Sequence, residues 1–146
     1  MKESIEVYKT ESPEETEALG EQISEELSEG DCVGLIGELG SGKTHFVRGL
    51  AKGLGSKGFI KSPSFTIINI YDGGRAPLFH IDLYRISNIE EIYEAGLEEY
   101  IYGKGISVIE WADKLPSLLR ECTMIVRFSY SGETGRTIHV ERPASN

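Results

Sequence analysis

The sequence predicts an α/β fold, a three-layer domain whose mixed, mostly parallel sheet includes an antiparallel C-terminal strand pair. Three observations predict it. Short apolar runs typical of buried strands alternate with segments whose apolar residues recur at helical spacing. A glycine-rich segment directly follows the first buried run and precedes a helix. Near the end, two strand-like runs flank a glycine-containing turn, which is typical of antiparallel neighbours.

Composition limits the class of protein. With 146 residues we expect one domain, 1–146, long enough to bury a core. The chain shows neither an apolar membrane span nor an N-terminal signal segment, so we expect no membrane association and a cytoplasmic location. The net charge of −9 argues against direct binding of nucleic acid, so any role near RNA would go through a partner.

The chain opens with a predicted edge strand within residues 1–10 and a capped helix. Ser12 suits the N-cap, Pro13 the first helical position, and Glu15 completes a capping box. Gly30 is expected to stop the helix. Its inward stripe consists of Leu19, Ile23 and Leu27.

The segment 37–44 fits the phosphate-binding P-loop pattern G-x-x-x-x-G-K-[ST]. The apolar strand 32–36 precedes it and a helix from Lys43 to Gly55 follows, so we expect a P-loop NTPase-like domain. Glycines let backbone N–H groups approach phosphate, Lys43 can reach the β- and γ-phosphates, and Thr44 can offer its hydroxyl to Mg²⁺. No N-K-x-D segment specifies guanine, so ATP is the expected nucleotide. The predicted nucleotide-binding residues are Gly37, Glu38, Leu39, Gly40, Ser41, Gly42, Lys43 and Thr44.

The middle of the chain predicts a loop, a hairpin and a helix. Residues 56–64, rich in glycine, lysine and serine, are interpreted as a loop. Strands 67–71 and 77–83 flank the hairpin turn 72–75. Asn88 can cap the following helix. The side chains expected to point inward from it are Ile89, Ile92, Tyr93 and Leu97.

The last part predicts a strand at 106–109, a short helix after Lys114, and strands 124–128 and 137–140 joined by the turn 131–135. Each of the two cysteines falls in an apparent strand, and buried free thiols are favoured over a disulfide or a metal site. Neither the cysteines nor the histidines have metal-ligand spacing. These residues are Cys32, Cys122, His45, His80 and His139.

Two acidic residues stand at predicted strand ends, where ligands of α/β folds bind. Asp82 can hold Mg²⁺ opposite Thr44, or it is a surface aspartate. Glu110 can orient or deprotonate an attacking water, or it belongs to a structural ion pair. His80 is interpreted as a hydrogen-bonded structural residue. Arg85 could reach a phosphate or a nearby carboxylate.

Together these motifs resemble the TsaE (YjeE) family, small bacterial ATPases for the threonylcarbamoyladenosine modification of tRNA. The resemblance covers about Ser12 to Trp111, whereas residues from Lys114 match only in length and strand pattern. Small departures are Ser41, His45, Ser64 and Ala112. The matching pieces are Gly37–Thr44, Lys61–Thr66, His80–Arg85, Glu110-Trp111 and Thr16 in the first helix.

The resemblance implies a single domain that binds ATP with Mg²⁺, hydrolyses it slowly alone, and acts with the TsaD and TsaB proteins. It implies that Lys43 and Glu110 serve catalysis, that Thr44 and Asp82 serve the metal, and that Thr16 belongs to the nucleotide site. The candidates for a switch segment or partner contact are Ser62, Ser64, Thr66 and Trp111.

Two other functions stay open at this point. A small-molecule kinase usually needs lid arginines that close on the phosphates, and residues 111–130 supply only Arg120 and Arg127. A nucleotide-dependent binding module that never hydrolyses ATP needs no water-orienting carboxylate, so Glu110 argues against it.

Overall fold

A computed structural model describes residues 4–38, 40–61 and 68–143, with the side chains of 59–61 left aside. Its strands are β1 (Ser4–Thr10), β2 (Cys32–Ile36), β3 (Gly58–Lys61), β4 (Ile68–Asp72), β5 (Leu78–Asp82), β6 (Ile106–Glu110), β7 (Met124–Ser131) and β8 (Gly135–Arg142). Its helices are α1 (Pro13–Ser24), α2 (Lys43–Gly53), α3 (Ile89–Glu94), α4 (Glu98–Ile101) and α5 (Pro116–Leu119), with a 3₁₀ turn at Ala112–Lys114.

All the described strands form one sheet in the order β1-β8-β7-β2-β6-β5-β4-β3. The four central strands, β7-β2-β6-β5, are parallel, and both edges continue in antiparallel pairing. The predicted mixed sheet, parallel in its middle with an antiparallel C-terminal pair, is therefore confirmed. Short turns join the antiparallel pairs β4–β5 and β7–β8, whereas the parallel strands need the longer helical connections.

Helices cover both faces of the sheet, which gives the three predicted layers. α1 and α2 pack on one face, where Phe46 and Leu50 lie fully buried against Val33 and Leu35 of β2. The short helices α3, α4 and α5 cover the other face, where Cys32 of β2 and Ile109 of β6 are buried. β2 is buried on both sides because helices cover both of its faces, which explains its unbroken apolar sequence.

The first helix is capped as predicted but is shorter. The Ser12 side chain accepts a hydrogen bond from the Glu15 N–H at 3.1 Å, and Glu15 in turn accepts from the Glu11 N–H. The helix ends at Ser24 rather than near Gly30. The Ser24 hydroxyl donates to the Glu21 carbonyl at 2.6 Å, and such a local bond competes with continued helical pairing.

Three other local predictions are wrong. The loop expected at 56–64 contains β3, because its backbone pairs with β4 at the sheet edge despite the turn-like composition. Cys122 lies in the turn before β7 and not in a strand, although both cysteines are free and buried as expected. The helix expected through Leu97 breaks at Gly96 (φ +72°), and Tyr93 is 54% exposed instead of pointing inward.

The remaining element predictions agree with the structure in kind. The hairpin β4–β5, the helix capped by Asn88, the strand β6 and the short helix after Lys114 are all present. Within residues 4–38, 40–61 and 68–143, no helix is both long enough and apolar enough to cross a bilayer.

Candidate nucleotide-binding site

The P-loop connects the carboxyl end of β2 to the first residue of α2. A side chain at Gly37 has no room, because a Cβ there would lie 2.7 Å from Ser41 Oγ and 3.0 Å from Phe128 Cβ. Gly42 is the N-cap of α2 and has φ +108°, a backbone conformation that favours glycine. The loop thus keeps bare backbone in front of the positive end of an eleven-residue helix, an arrangement suited to anions.

A pocket of about 210 Å³ opens in front of this loop. Thr44 is exposed at its wall, so its hydroxyl is accessible to a ligand. Glu110 reaches the same pocket from the end of β6. The lining residues are Gly40, Gly42, Lys43, Thr44, His45 and Glu110.

Lys43 is folded back into the loop. It is only 4% exposed, its Nζ donates to the Gly37 carbonyl at 2.6 Å, and Nζ lies 4.0 Å from the ring centroid of Trp111. Burial lowers the pKa of Lys43, and the nearby carboxylates of Glu110 and Asp82 oppose that shift. The ammonium is therefore held by a carbonyl and a ring face, weaker partners than a phosphate oxygen.

Asp82 and Glu110 lie side by side at the carboxyl ends of β5 and β6, in direct register. Leu35 of β2 is the next partner in the same row, which places both acids beside the start of the P-loop. Glu110 is buried, with 8% exposure. Asp82 is half-buried, and its Oδ1 accepts a hydrogen bond from the Tyr84 N–H at 2.9 Å.

His80 is hydrogen-bonded, as its interpretation from the sequence required. Its partner is Glu110: His80 Nε2 and Glu110 Oε2 are 2.5 Å apart. The structural alternative for Glu110 therefore has a partner in His80, which makes an ion pair only when the ring is protonated. The same carboxylate nevertheless lines the pocket in front of the P-loop, so the pairing does not remove it from the site.

Trp111 follows Glu110 in a left-handed backbone conformation (φ 63°), which is uncommon for a residue with a bulky side chain. Its ring packs against Tyr84, with centroids 5.3 Å apart, and forms the lid over the Lys43 ammonium. Lys114 donates to the Tyr84 carbonyl at 2.5 Å. Arg85 is exposed beside this cluster. Strained conformations concentrate at functional sites, and this one presents an aromatic ring to the P-loop lysine.

Thr16 belongs to a second, smaller pocket of about 90 Å³ on the other side of the loop. Its buried hydroxyl shares a 2.7 Å hydrogen bond with that of Thr10, which ties α1 to β1. Gly42 separates the two pockets, since a Cβ on it would lie 3.5 Å from the Thr16 methyl group. The residues around this pocket are Ser12, Pro13, Thr16, Gly40, Gly42, His45, Thr134 and Arg136.

Comparison with known proteins fits this geometry. The family model described as "Threonylcarbamoyl adenosine biosynthesis protein TsaE" matches residues 10–138. The chain belongs to the TsaE family. A tRNA threonylcarbamoyladenosine biosynthesis protein TsaE from Treponema pallidum is 40% identical over 129 residues, covering 88% of this chain and 95% of that one. The protein of the same name from Bacillus subtilis is 37% identical over 131 residues, covering 90% and 82%.

A solved structure extends the likeness to the fold. The crystal structure of YdiB from Bacillus subtilis superposes with a TM-score of 0.76 at 31% sequence identity, covering 99% of this chain and 89% of YdiB. The resemblance carried by motifs stopped near Trp111, whereas the TsaE family match includes all of β7 and the first half of β8.

Arg136 is a residue of the site that the sequence did not reveal. It lies on β8, and its Nη2 donates to the Gly40 carbonyl of the P-loop at 3.1 Å. Its guanidinium carbon lies 4.5 Å from the ring centroid of Tyr130 on β7. No motif joins positions so far apart in the chain; a basic residue flanking the predicted turn 131–135 was the available signal.

The donor atoms present fit Mg²⁺ bound together with a nucleotide. Thr44 offers a hydroxyl and Asp82 a carboxylate, the oxygen ligands that this ion prefers. Among residues 4–38, 40–61 and 68–143, no group of three histidine, cysteine or acidic side chains could hold a metal. Phosphate oxygens and water would therefore complete the shell. The predicted residues Leu39, Ser62, Ser64 and Thr66 lie outside the described residues.

Proposed function

We propose that this chain is a Mg²⁺-dependent ATP-binding protein and a slow, partner-activated ATPase of threonylcarbamoyladenosine biosynthesis. It acts in the cytoplasm as a single domain, 1–146. Membership of the TsaE family supports the pathway. The observation that carries the chemistry is the buried Glu110 carboxylate lining the same pocket as Lys43 and Thr44.

The P-loop, residues 37–44, takes the phosphates. Its backbone N–H groups and the N-terminus of α2 face the anion, and Lys43 exchanges the Gly37 carbonyl and the Trp111 ring for phosphate oxygens. Thr44 and Asp82 would hold Mg²⁺, which supplies positive charge to the β- and γ-phosphate oxygens. Thr16 would contact the nucleotide from the smaller pocket.

Glu110 acts on the attacking water. The water oxygen bonds to the γ-phosphorus while its proton passes to the Glu110 carboxylate. The bond from the γ-phosphorus to the β–γ bridging oxygen breaks, and ADP leaves with that oxygen. Lys43 stabilises the charge that accumulates on the phosphate oxygens.

The partners are the TsaD and TsaB proteins, with tRNA held by them. The net charge of −9 favours an arrangement in which this chain does not touch RNA. Ser62, Ser64 and Thr66 serve as a nucleotide-dependent switch segment. Trp111, which packs between the P-loop lysine and the exposed Tyr84, is placed to report nucleotide binding to a partner.

The test combines calorimetric ATP affinity with phosphate release, each measured with and without TsaD and TsaB. We expect ATP binding alone, slow release alone and faster release with the partners. ATP binding without any release, under every condition, would overturn the ATPase and favour the binding module. Arg127 lends the kinase alternative no support, because it pairs with Glu141 of β8 at 3.2 Å.

A further inference from the structure

None of the roles proposed above for the site involves His80. It lies on β5 two residues before Asp82, and side chains two apart on a strand share one face. In the neighbouring strand, Val108 pairs with His80 and Glu110 pairs with Asp82. The imidazole therefore lies one step deeper in the sheet than the two carboxylates, on their side.

The contact between His80 and Glu110 is short and largely shielded from solvent. Nε2 and Oε2 are 2.5 Å apart, and the two side chains are 10% and 11% exposed. A buried carboxylate needs hydrogen bonds in place of water, and bonds to a charged acceptor are the strong ones. Among the described residues, His80 is the side chain that hydrogen-bonds this carboxylate.

Lys43 does not take that place. Its ammonium hydrogen-bonds the Gly37 carbonyl and lies on the Trp111 ring, so its interaction with Glu110 is a longer-range attraction between charges. Among residues 4–38, 40–61 and 68–143, the imidazole is thus the side chain whose hydrogen bond can set the orientation of the carboxylate.

The ring has one favourable tautomer. An ionised carboxylate only accepts hydrogen bonds, so Nε2 must carry the hydrogen that points at Oε2. Nδ1 is buried and has no hydrogen-bond partner in the described part of the chain. A hydrogen there would be a buried donor without an acceptor, which is costly, so Nδ1 is the bare nitrogen.

We propose that His80 is a positioning residue for Glu110. The terminal torsion of a glutamate is broad, so a free carboxylate would sample many orientations. Holding Oε2 on the imidazole fixes the plane of the group and leaves Oε1 to receive the proton of the water in the phosphate pocket. A base oriented by a third group is a recurring arrangement in active sites. This inference rests on the proposed role of Glu110.

The test compares His80→Gln with His80→Leu. Glutamine can place an amide N–H near the position of Nε2, whereas leucine fills the space without a donor. We expect His80→Leu to lower kcat for partner-stimulated phosphate release by ~10- to 100-fold, the scale of a misplaced catalytic group, with ATP affinity changed less than about threefold. His80→Gln should restore most of that loss. In a Glu110→Gln background, His80→Leu should cost nothing further.

Three results would overturn the proposal. The first is an equal loss of kcat in His80→Gln and His80→Leu that tracks only their loss of thermal stability. The second is a full further loss of kcat when His80→Leu is added to Glu110→Gln. The third is an unchanged kcat in His80→Leu although Glu110→Gln is inactive. None of these three results contradicts the proposed ATPase activity.

If the unaltered protein releases no phosphate even with its partners, the proposed function fails instead. Nitrogen NMR of the His80 ring, recorded in the unaltered protein and in Glu110→Gln, then decides the hydrogen bond without a measurement of activity. A hydrogen on Nε2 whose resonance moves in Glu110→Gln supports the inference. A hydrogen on Nδ1 contradicts it.

Discussion

The P-loop has two unlike sides. One side, here called the acidic side, consists of Asp82 and Glu110 with His80 behind them. The other, here called the polar side, consists of Thr16 on α1 and Arg136 on β8. The acidic side is built from two neighbouring parallel strand ends, whereas the polar side joins elements from opposite ends of the chain through contacts with the loop.

This difference indicates a division of work. Carboxylates beside a lysine and an accessible threonine hydroxyl suit metal and water chemistry. A buried threonine pair and a guanidinium bound to the Gly40 carbonyl suit holding the loop in shape. Changes on the acidic side should therefore act on turnover and metal dependence, and changes on the polar side should act on affinity.

The largest effect is expected in the loop itself, at Lys43. Lys43→Met should weaken ATP binding by about 10²-fold or more, because the loop loses its charge on the phosphates. Calorimetry measures this, with the exposed Lys52→Met on the same helix as the control. An affinity like that of the unaltered protein would remove the P-loop from the centre of the site.

Without nucleotide, Lys43→Met should be more stable than the unaltered protein, by about 1 kcal/mol in the free energy of unfolding or roughly 3 °C in Tm. The reason is that burying the apolar methionine side chain carries no cost of desolvating a charge. Since burial lowers the Lys43 pKa below its ordinary value of 10.5, the unfolded chain binds more protons in the window just below that pH. The stability of the unaltered protein should thus rise with pH through that window, and the difference in stability between it and Lys43→Met should shrink. Thermal unfolding at several pH values measures it, and a variant less stable at neutral pH would contradict it.

Glu110→Gln should separate turnover from binding. The amide keeps the size of the side chain but cannot take a proton, so partner-stimulated phosphate release should fall by roughly 10²-fold or more. ATP affinity should stay within a few-fold, because the P-loop is untouched. The measurement is release beside calorimetry on one preparation, with Glu141→Gln on β8 as the control. Normal release would mean that another group, from this chain or a partner, handles the water.

Asp82→Asn should change the metal dependence more than the binding of nucleotide alone. We expect the Mg²⁺ concentration for half-maximal ATP binding to rise about tenfold, because the site loses its charged oxygen ligand. The control is Asp72→Asn, an exposed aspartate at the far end of β4. A Mg²⁺ titration identical to that of the unaltered protein would show that the acidic side does not hold the metal.

The smallest effect is expected on the polar side. Arg136→Met should lower ATP affinity about three- to tenfold, the value of one hydrogen bond to the loop, with kcat nearly unchanged. Arg142→Met on the same strand is the control, since Arg142 pairs with Glu6 and Glu26 away from the loop. If the Arg136 variant loses kcat rather than affinity, the two sides do not divide the work in this way.

What could be read from the sequence follows from how local each feature is. The P-loop is contiguous, so strand, loop and helix were predicted together, and the acids at strand ends followed from the general location of ligands in α/β sheets. The strand β3 was missed because the pairing that creates it comes from β4 and not from its own residues.

Arg136 was missed for a similar reason, since its partner, the Gly40 carbonyl, is almost a hundred positions away. His80 was correctly interpreted as hydrogen-bonded, but its partner depends on the register between β5 and β6. A single sequence states residue types and short spacings. It does not state which strand lies beside which, and that neighbour relation decides the environment of Glu110.

The pairing of β1 with β8 has a consequence for how the protein is made. β1 is the first described strand to leave the ribosome, yet its partner in the sheet is the last one. Contacts of such large sequence separation form late and slow folding. Until β8 has been synthesised, β1 lacks its hydrogen-bonding partner and Arg136 cannot reach the loop. An incompletely translated chain would thus carry a P-loop whose polar side lacks Arg136, which ties the completion of the site to the completion of synthesis.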